Sequence, residues 1–478
     1  MHIDLQKIPA PIRGVARRIA QAGGEATLVG GGVIALLRDQ TPKDHDIEVF
    51  GLSWDRLVSL FPESKSVGAS FGILKLTVER HEVDINLPRR DNRVGLGSVE
   101  LLLSHDPQMT KKAAAERRDF TINTMSVSLH TGELFDFWGG LEDLSKGILR
   151  ATSPELFVQD PLRAFRAMQL LARKAQSVDP STIQRIRGLL PELPSLPFER
   201  VREEFRKLLL KAPKPSVGLE FLVDTGIISM FPELEALRGV GQHPEWHPEG
   251  DVWVHSMLAM DAAASLQHVV DEDDREVLVM SALLHDIGKP TTTVTPDMVA
   301  RGEASSEMLW TAHGHDRKGM SPADSFLQRL TGPTGDQTFR RKVTRLVGEH
   351  MQPFTLVSGK AKQGAWARLH RRLSSDGVDL RLLGRVCQCD ACATSLSWDT
   401  RSVASGTPNW EHVTSQRAFD WAETFEAQPV EPKVLGRHFI ARGLRPGPQF
   451  GQILKDCVDV QDAHPTWTES QILDHMGL

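Results

Sequence analysis

Two groups of side chains in this sequence have the types and spacing that phosphate chemistry needs. The first begins at LVGGGV, where Gly30, Gly31 and Gly32 close an apolar run and precede a helical segment. Glycines at such a junction let backbone N–H groups approach a phosphate, although a plain turn uses the same residues. Asp44 and Asp46 follow in KDHDIEVFG, alternating on an expected strand so that both carboxylates point to one face. Two same-side carboxylates are costly without a cation. A third, Asp84 in EVDINLP, sits on another expected strand that faces the same chemistry. Oxygen ligands at that spacing suit Mg²⁺, and two such ions would activate an attacking hydroxyl and stabilise a pyrophosphate leaving group. That is the arrangement of nucleotidyl transfer.

The second group is sparser. His255 falls in an expected helix, and His285 and Asp286 end another in ALLHDIGKP. A lone helical histidine is usually a core or surface residue, but a His-Asp pair closing an apolar helix can join an earlier helical histidine around a divalent transition metal. AHGHDRKG and VGEHMQP add His313, His315 and His350 further along.

Positioning these groups requires two kinds of scaffold. Through residue 150 the sequence alternates short β-branched runs (ATLVGG, HDIEVFGL, GILKLTVER, EVDINLP, GELFDF) with helices, an α+β pattern. From about Pro161 to Pro232 the period becomes helical, as in PLRAFRAMQLLARK and ERVREEFRKLLLK. QHPEWHPEGD reads as a loop into a second helical block from about Val252 to Ala393, within which Gly302 to Gly319 is expected to be a loop. A polar connection and a small terminal module containing GLRPGPQFGQIL end the sequence. The expected domains are therefore 1–150, 151–240, 241–400 and 401–478.

A hydrophobic content of 40% and charged content of 25% over 478 residues are those of an ordinary multidomain soluble protein. No apolar run is long enough for a membrane helix and the N-terminal segment has no secretory pattern, so the expected location is cytoplasmic. Cys387, Cys389, Cys392 and Cys457 fit reduced thiols; Cys389 and Cys392 have the spacing of half a zinc site, but no second pair follows. The net charge of −6 is unevenly spread: Asp160 to Ser216 holds twelve Lys/Arg against six Asp/Glu, and Phe231 to Ala300 three against thirteen. A basic stretch beside a phosphate-handling head suits an RNA backbone, and solvated helix faces account for the same counts.

The ordered set of motifs resembles the bacterial tRNA nucleotidyltransferase and poly(A) polymerase family. That family has GGxVRD followed by DxD at the interval found here, then RRDFTINAM, matched by RRDFTINTM at 117–125, and EDPLR, matched by QDPLR at 159–163. DFWGGLEDLSKGILRAT and ERVREEFRKLL extend the likeness over about the first 230 residues. It implies a palm domain like that of polymerase beta, with a mixed sheet, followed by an all-helical neck and body. It also implies that Asp44 and Asp46 hold Mg²⁺, that Gly30, Gly31 and Arg118 approach the triphosphate, and that Asp119 and Asn123 address the ribose. Asp160, Arg163 and Arg166 would read the base edge as a protein template, an acceptor beside planar donor forks. Exposed ion pairs are the ordinary alternative for single arginines. The family's Arg and Asp after GGxV are here Ile34 and Ala35, with Arg38 and Asp39 one helical turn on as a partial substitute; restoring Arg at 34 is expected to tighten nucleotide binding.

The second block resembles the HD phosphohydrolase superfamily, whose H…HD…D pattern implies a transition metal on His255, His285, Asp286 and Asp390. His313, His315 and His350 resemble the additional histidines of HD domains attached to such transferases, which enlarge the site to two metals. The implied chemistry is hydrolysis of a phosphoester, for example a 2′,3′-cyclic phosphate on a damaged RNA end. The tail PKVLGRHFIARGLRPGPQFGQIL resembles that of the same extended family; its Pro-Gly-Pro turn suits packing or a grip on backbone phosphates. The resemblance thus implies transfer of CMP and AMP from CTP and ATP to a tRNA 3′ end. Poly(A) or A-only addition, a hydrolase with an inactive RNA-binding head, and a non-catalytic RNA binder are the alternatives.

Overall fold

The computed structural model describes residues 1–42, 45–67, 72–93, 101–394, 413–427, 432–464 and 466–478. The chain divides into two compact units, Met1–Leu208 with Val217–Ile227, and Leu209–Ser216 with Ile228–Leu478.

In the first unit the strands are β1 (Glu25–Val29), β2 (His45–Phe50), β3 (Lys65–Val67), β4 (Ile73–Val78), β5 (His81–Asn86), β6 (Arg89–Arg93), β7 (Leu101–His105), β8 (Ser126–Ser128) and β9 (Leu134–Phe135), with a short parallel pair, β10 (Ile148–Leu149) and β11 (Ser177–Val178), further along. Seven of them form one sheet in the order β3-β4-β5-β2-β1-β8-β9, while β6 and β7 form a separate ladder. The large sheet is mixed, because β2 and β5 run parallel and its other pairs antiparallel. In that parallel pair Asp46 lies opposite Asp84. β1 and β2 are central and almost entirely buried, as their Val, Ile and Leu content requires. The Ala10–Gln21 helix packs on β1 and β5 through Ile12, Val15, Ala16 and Ile19, a single helical stripe. The expected strands all occur, but β9 is only Leu134–Phe135, and the short β3 and β8 had no clear alternation to announce them.

Helices then take over. Arg163–Lys174 buries Ala164, Phe165, Ala167, Met168, Leu170 and Leu171. Asp179 caps the Pro180–Gly188 helix by accepting from the Ser181 and Thr182 backbone N–H groups, with proline at the first helical position where no N–H is missed.

Among its described residues, the regular elements of the second unit are all helices. Val252–Leu266, apolar on nearly every face, is an interior helix against Glu272–Leu284 and Leu380–Ala393. His315–Thr331 and Gln337–Glu349 pack as a pair, and the latter also meets Glu272–Leu284. The loop expected over 302–319 is corrected here: a helix already begins at His315 after Gly314 in the left-handed conformation. Its polar first turn, HDRKG, hides the apolar period that starts at Gly319. The terminal module has its own core of Val434, Phe439, Cys457, Ile472 and Leu473.

Candidate functional site

At the end of β1, Gly30 adopts φ 65°, a left-handed conformation that favours glycine, and turns the chain into the Gly31–Leu37 helix. A Cβ built on Gly30 would sit 3.6 Å from Asp46 Oδ2, and one on Gly31 would sit 3.5 Å from Lys174 Nζ. The glycine turn therefore lies between a carboxylate of β2 and a cation from the Arg163–Lys174 helix. Asp46 and Asp84 are both partly exposed, and Asp84 also lies 3.4 Å from Lys75 Nζ. Their oxygen-only chemistry fits a hard cation. Asp44 lies outside the described residues.

Arg118 and Asp119 enter this site from the turn after the Lys111–Glu116 helix. Arg118 Nη2 is 3.3 Å from Glu48 Oε2 and Arg117 Nη2 is 2.6 Å from Oε1. Although burial opposes it, these two guanidinium groups hold the Glu48 carboxyl below the usual glutamate range. Asp119 accepts from Asn123 Nδ2 at 3.0 Å and from Arg166 Nε at 2.6 Å. Against the penalty of full burial, Arg166, Asn123 and Arg163 bring its carboxyl down to about 2. Arg163 is itself buried and donates to the carbonyls of Leu156 (2.8 Å) and Arg117 (2.6 Å). Asp160 accepts from the Leu162 N–H through Oδ1 and pairs with Arg200 at 3.0 Å through Oδ2.

Two positions differ from the sequence reading. Ile34 is 2% exposed, so its side chain belongs to the core and is no place for a phosphate-binding arginine. Arg38 is no ready substitute, since its Nη2 donates to the Lys174 carbonyl at 2.8 Å, and Asp39 pairs with Lys7.

The second unit gathers its histidines more tightly. His285, His315 and His350 each place Nδ1 within 2.7–2.8 Å of the carbonyl three residues earlier, and His255 places Nδ1 2.6 Å from Glu249 Oε1. A carbonyl or carboxylate can only accept, so Nδ1 carries the proton and the Nε2 lone pairs face inward. They meet in pairs: His255 with His285 at 3.1 Å, and His315 with His350 at 3.1 Å. Asp286 lies between, with Oδ2 3.3 Å from His285 and Oδ1 3.1 Å from His315. Asp390 Oδ1 is 3.1 Å from His255. Opposed lone pairs at such distances need a cation or a proton between them, and two imidazole pairs sharing one carboxylate fit two transition-metal ions. Despite burial, Asp286 and Asp390 raise His285 to about 10, whereas burial and the neighbouring His285 and His315 lower His350 to about 4. His247, Glu249 and His255 form a further potential metal-ligand group at one side.

A cavity of about 770 Å³ opens onto Asp286, His315, His350 and Asp390, and its wall includes Trp246, Trp310 and Lys289. Trp310 has φ 66°, rare for a bulky residue, and its ring occupies the space a side chain at Gly241 would need, with atoms 2.4–2.9 Å from a built Cβ. The thiols stand apart from this chemistry: burial pushes Cys392 up to about 12 and Cys387 and Cys389 well above their ordinary value, and Cys387 donates to the His350 carbonyl.

Comparison with known proteins agrees with both units. Family models match at residues 26–150 (poly A polymerase head domain), 177–237 (probable RNA and SrmB-binding site of polymerase A) and 252–373 (HD domain). The multifunctional CCA protein of Methylococcus capsulatus is 31% identical over 443 residues, spanning 90% of this chain and 92% of its own. This chain belongs to the multifunctional CCA protein family. The Xanthomonas campestris relative is 34% identical over 332 residues, 68% of this chain and 74% of its own. The fold is also that of the Bacillus stearothermophilus CCA-adding enzyme solved with CTP, at TM-score 0.63 and 19% identity, covering 98% of each chain.

The chain brings together most residues singled out in its sequence. Gly30, Gly31 and Asp46 meet at one turn, with Asp84 on the adjoining strand. Asp119, Asn123 and Arg166 share one network, and His255, His285, Asp286 and Asp390 another. Asp390 lies beyond the segment matched by the HD model, and the Leu380–Ala393 helix carries it back to His255. His313 lines the cavity, while His315 and His350 supply the second imidazole pair. Sequence reasoning missed Glu48, Lys174, Glu249 and Lys289. Glu48 was legible in principle, since it follows Asp46 by two on the same strand face.

Proposed function

We propose that this chain transfers CMP and AMP from CTP and ATP to the 3′ end of tRNA, and that its HD centre hydrolyses phosphoesters. The observation that carries the reading is the register of β2 and β5, which sets Asp46 beside Asp84 next to the glycine turn. Asp44 and Asp46 would hold Mg²⁺ with Asp84 as the third acid, and His255, His285, Asp286 and Asp390 would hold a transition metal, with His315 and His350 as ligands to a second. What these cations supply is Lewis acidity, neutralising charge on phosphoryl oxygens and making an oxygen nucleophile available at neutral pH.

The chain's own groups do the positioning. The Gly30–Gly31 turn admits the triphosphate without a Cβ in its path, and Arg118 turns from Glu48 toward the phosphates. Asp119 and Asn123, already hydrogen-bonded to each other, meet the ribose. Asp160 supplies an acceptor to the base edge and Arg163 a donor fork, while the carbonyls of Leu156 and Arg117 keep the guanidinium plane from rotating. Arg166 belongs to the same edge-reading group through its bond to Asp119. At the HD centre Lys289, 2.6 Å from Asp286 Oδ2 and 2.7 Å from Gln242 Oε1, is placed to counter phosphate charge. In this reading 1–150 is the transferring head, 151–240 the nucleotide-selecting and RNA-binding neck, 241–400 the HD domain and 401–478 a tail module. Among the described residues no helix is long and apolar enough to cross a membrane, and a cytoplasmic location accords with the tRNA substrate.

The test is incubation with tRNA ending at the discriminator base, with CTP and ATP separately and together, followed by sequencing of the ends. CCA on the product supports the reading. An A-only tail or a long run of A assigns the head to the related poly(A) or A-adding activity, and no addition at all leaves hydrolysis as the activity to seek.

A further inference from the structure

Lys174 has a position that its own helix does not explain. It ends an otherwise amphipathic helix, yet its Nζ lies over the glycine turn, 3.5 Å from where a Gly31 Cβ would be. Among the described residues no carboxylate comes within ion-pair distance of that ammonium group. Its charged neighbours are mostly of its own sign. Burial, together with Arg173, Arg38 and Arg166, lowers its pKa to about 8, with Asp119 the opposing influence. A partly desolvated cation among cations is unfavourable by itself and becomes favourable when an anion joins it. The carbonyl of the same residue accepts from Arg38 Nη2, which ties the helix end to the residue following the Gly31–Leu37 helix. The aliphatic Ile34, buried in the core, supplies no cation to this turn.

We infer that Lys174 is a binding residue for the nucleoside triphosphate, its ammonium group meeting the phosphates at the Gly30–Gly31 turn. Arg38 is a positioning residue that fixes the backbone from which Lys174 reaches. This rests on the reading of the glycine turn as the triphosphate site. The compact ammonium acts as a point charge and does not distinguish one base from another, so its contribution is the same for CTP and ATP. No bond is made or broken by Lys174; it changes how tightly the triphosphate is held.

The experiment uses the full chain with tRNA lacking its CCA end and compares wild type with Lys174→Met, which keeps the aliphatic stem, and Lys174→Arg, which keeps the charge. Loss of one charge-assisted contact is expected to raise KM for CTP and for ATP by about tenfold or more, the factor that corresponds to 1.4 kcal/mol. The change falls on KM more than on kcat, and the arginine variant recovers most of it. Calorimetric titration with CTP and with CMP locates the effect: affinity for CTP falls in Lys174→Met by a larger factor than affinity for CMP, because the contact is to the phosphates that CMP lacks. An unchanged KM in a folded Lys174→Met protein overturns the assignment. So does an equal loss for CMP and CTP, which marks a structural role. Should Lys174→Met fold poorly, an arginine variant with wild-type melting temperature and KM raised tenfold also overturns it. Wild-type protein that neither adds nucleotides nor binds CTP instead defeats the underlying reading of the head.

Discussion

Ile34 and Lys174 illustrate how a single residue's surroundings decide what its type can do. Motif position suggests that an arginine at 34 would reach the nucleotide, but the side chain there is sealed in the core. Ile34→Arg is therefore expected to cost the head on the order of 3 kcal/mol or more through an uncompensated buried charge. Thermal melting should show the loss, and a variant as stable as wild type with a lowered KM for CTP would sink this account. The sequence was informative about Asp46, Asp84, Asp119 and His285 because each sits in a short pattern whose period fixes its direction. Lys174 was hidden because its partners, Gly31 and Arg38, are more than a hundred residues away in sequence and met only through packing. Glu249 was hidden for another reason: it precedes its helix in a proline-rich loop, where no period says which way a side chain points.

At the scale of elements, the Val252–Leu266 helix does two things at once. It carries His255 to the metal-ligand cluster, and through Asp261 it accepts two hydrogen bonds from Ser216, from the backbone N–H at 2.9 Å and from the hydroxyl at 2.6 Å. Burial raises the Asp261 carboxyl to about 6, a tendency that Ser216 and Lys214 only partly offset. A carboxyl with a folded pKa above its unfolded one binds protons more tightly in the folded state, so stability falls as pH rises from about 4 to about 6 and the cost is complete above that. Asp261→Asn removes the ionisation while keeping an acceptor for the Ser216 N–H. It should match wild type in melting temperature near pH 4 and exceed it at pH 7, the difference corresponding to on the order of 3 kcal/mol. Equal melting curves at both pH values would exclude this coupling. Element types were readable where a period ran long, as in Arg163–Lys174. They failed where a polar first turn concealed it, as at His315, or where a strand such as β8 was too short to alternate.

For the whole molecule, the two proposed chemistries rest on different side chains in different compact units. Asp46→Ala should abolish nucleotide addition while leaving hydrolysis of a 2′,3′-cyclic phosphodiester intact. His285→Ala should do the reverse and, by elemental analysis, reduce the transition metal bound per chain. Loss of both activities in either variant, with the fold retained, would mean that one centre depends on the other. Equal metal content in His285→Ala and wild type would remove that histidine from the ligand set. The uneven charge of the chain accompanies this division, since the Lys/Arg surplus between Asp160 and Ser216 precedes the acidic stretch that holds His255 and His285.

The indole of Trp310 lying in the space above Gly241 has a consequence for how this protein can change over generations. The glycine has room for no side chain because the ring fills it, and the ring keeps its left-handed backbone at a cost that its packing must offset. Neither position is free to drift alone: a methyl group at 241 evicts the indole, and a smaller residue at 310 removes a wall of the cavity over the histidines. The two sites form one heritable trait, spelled sixty-nine residues apart. Among aligned relatives they should be kept together or replaced together, and a family in which tryptophan at 310 is commonly paired with a bulky residue at 241 would show that the two are independent.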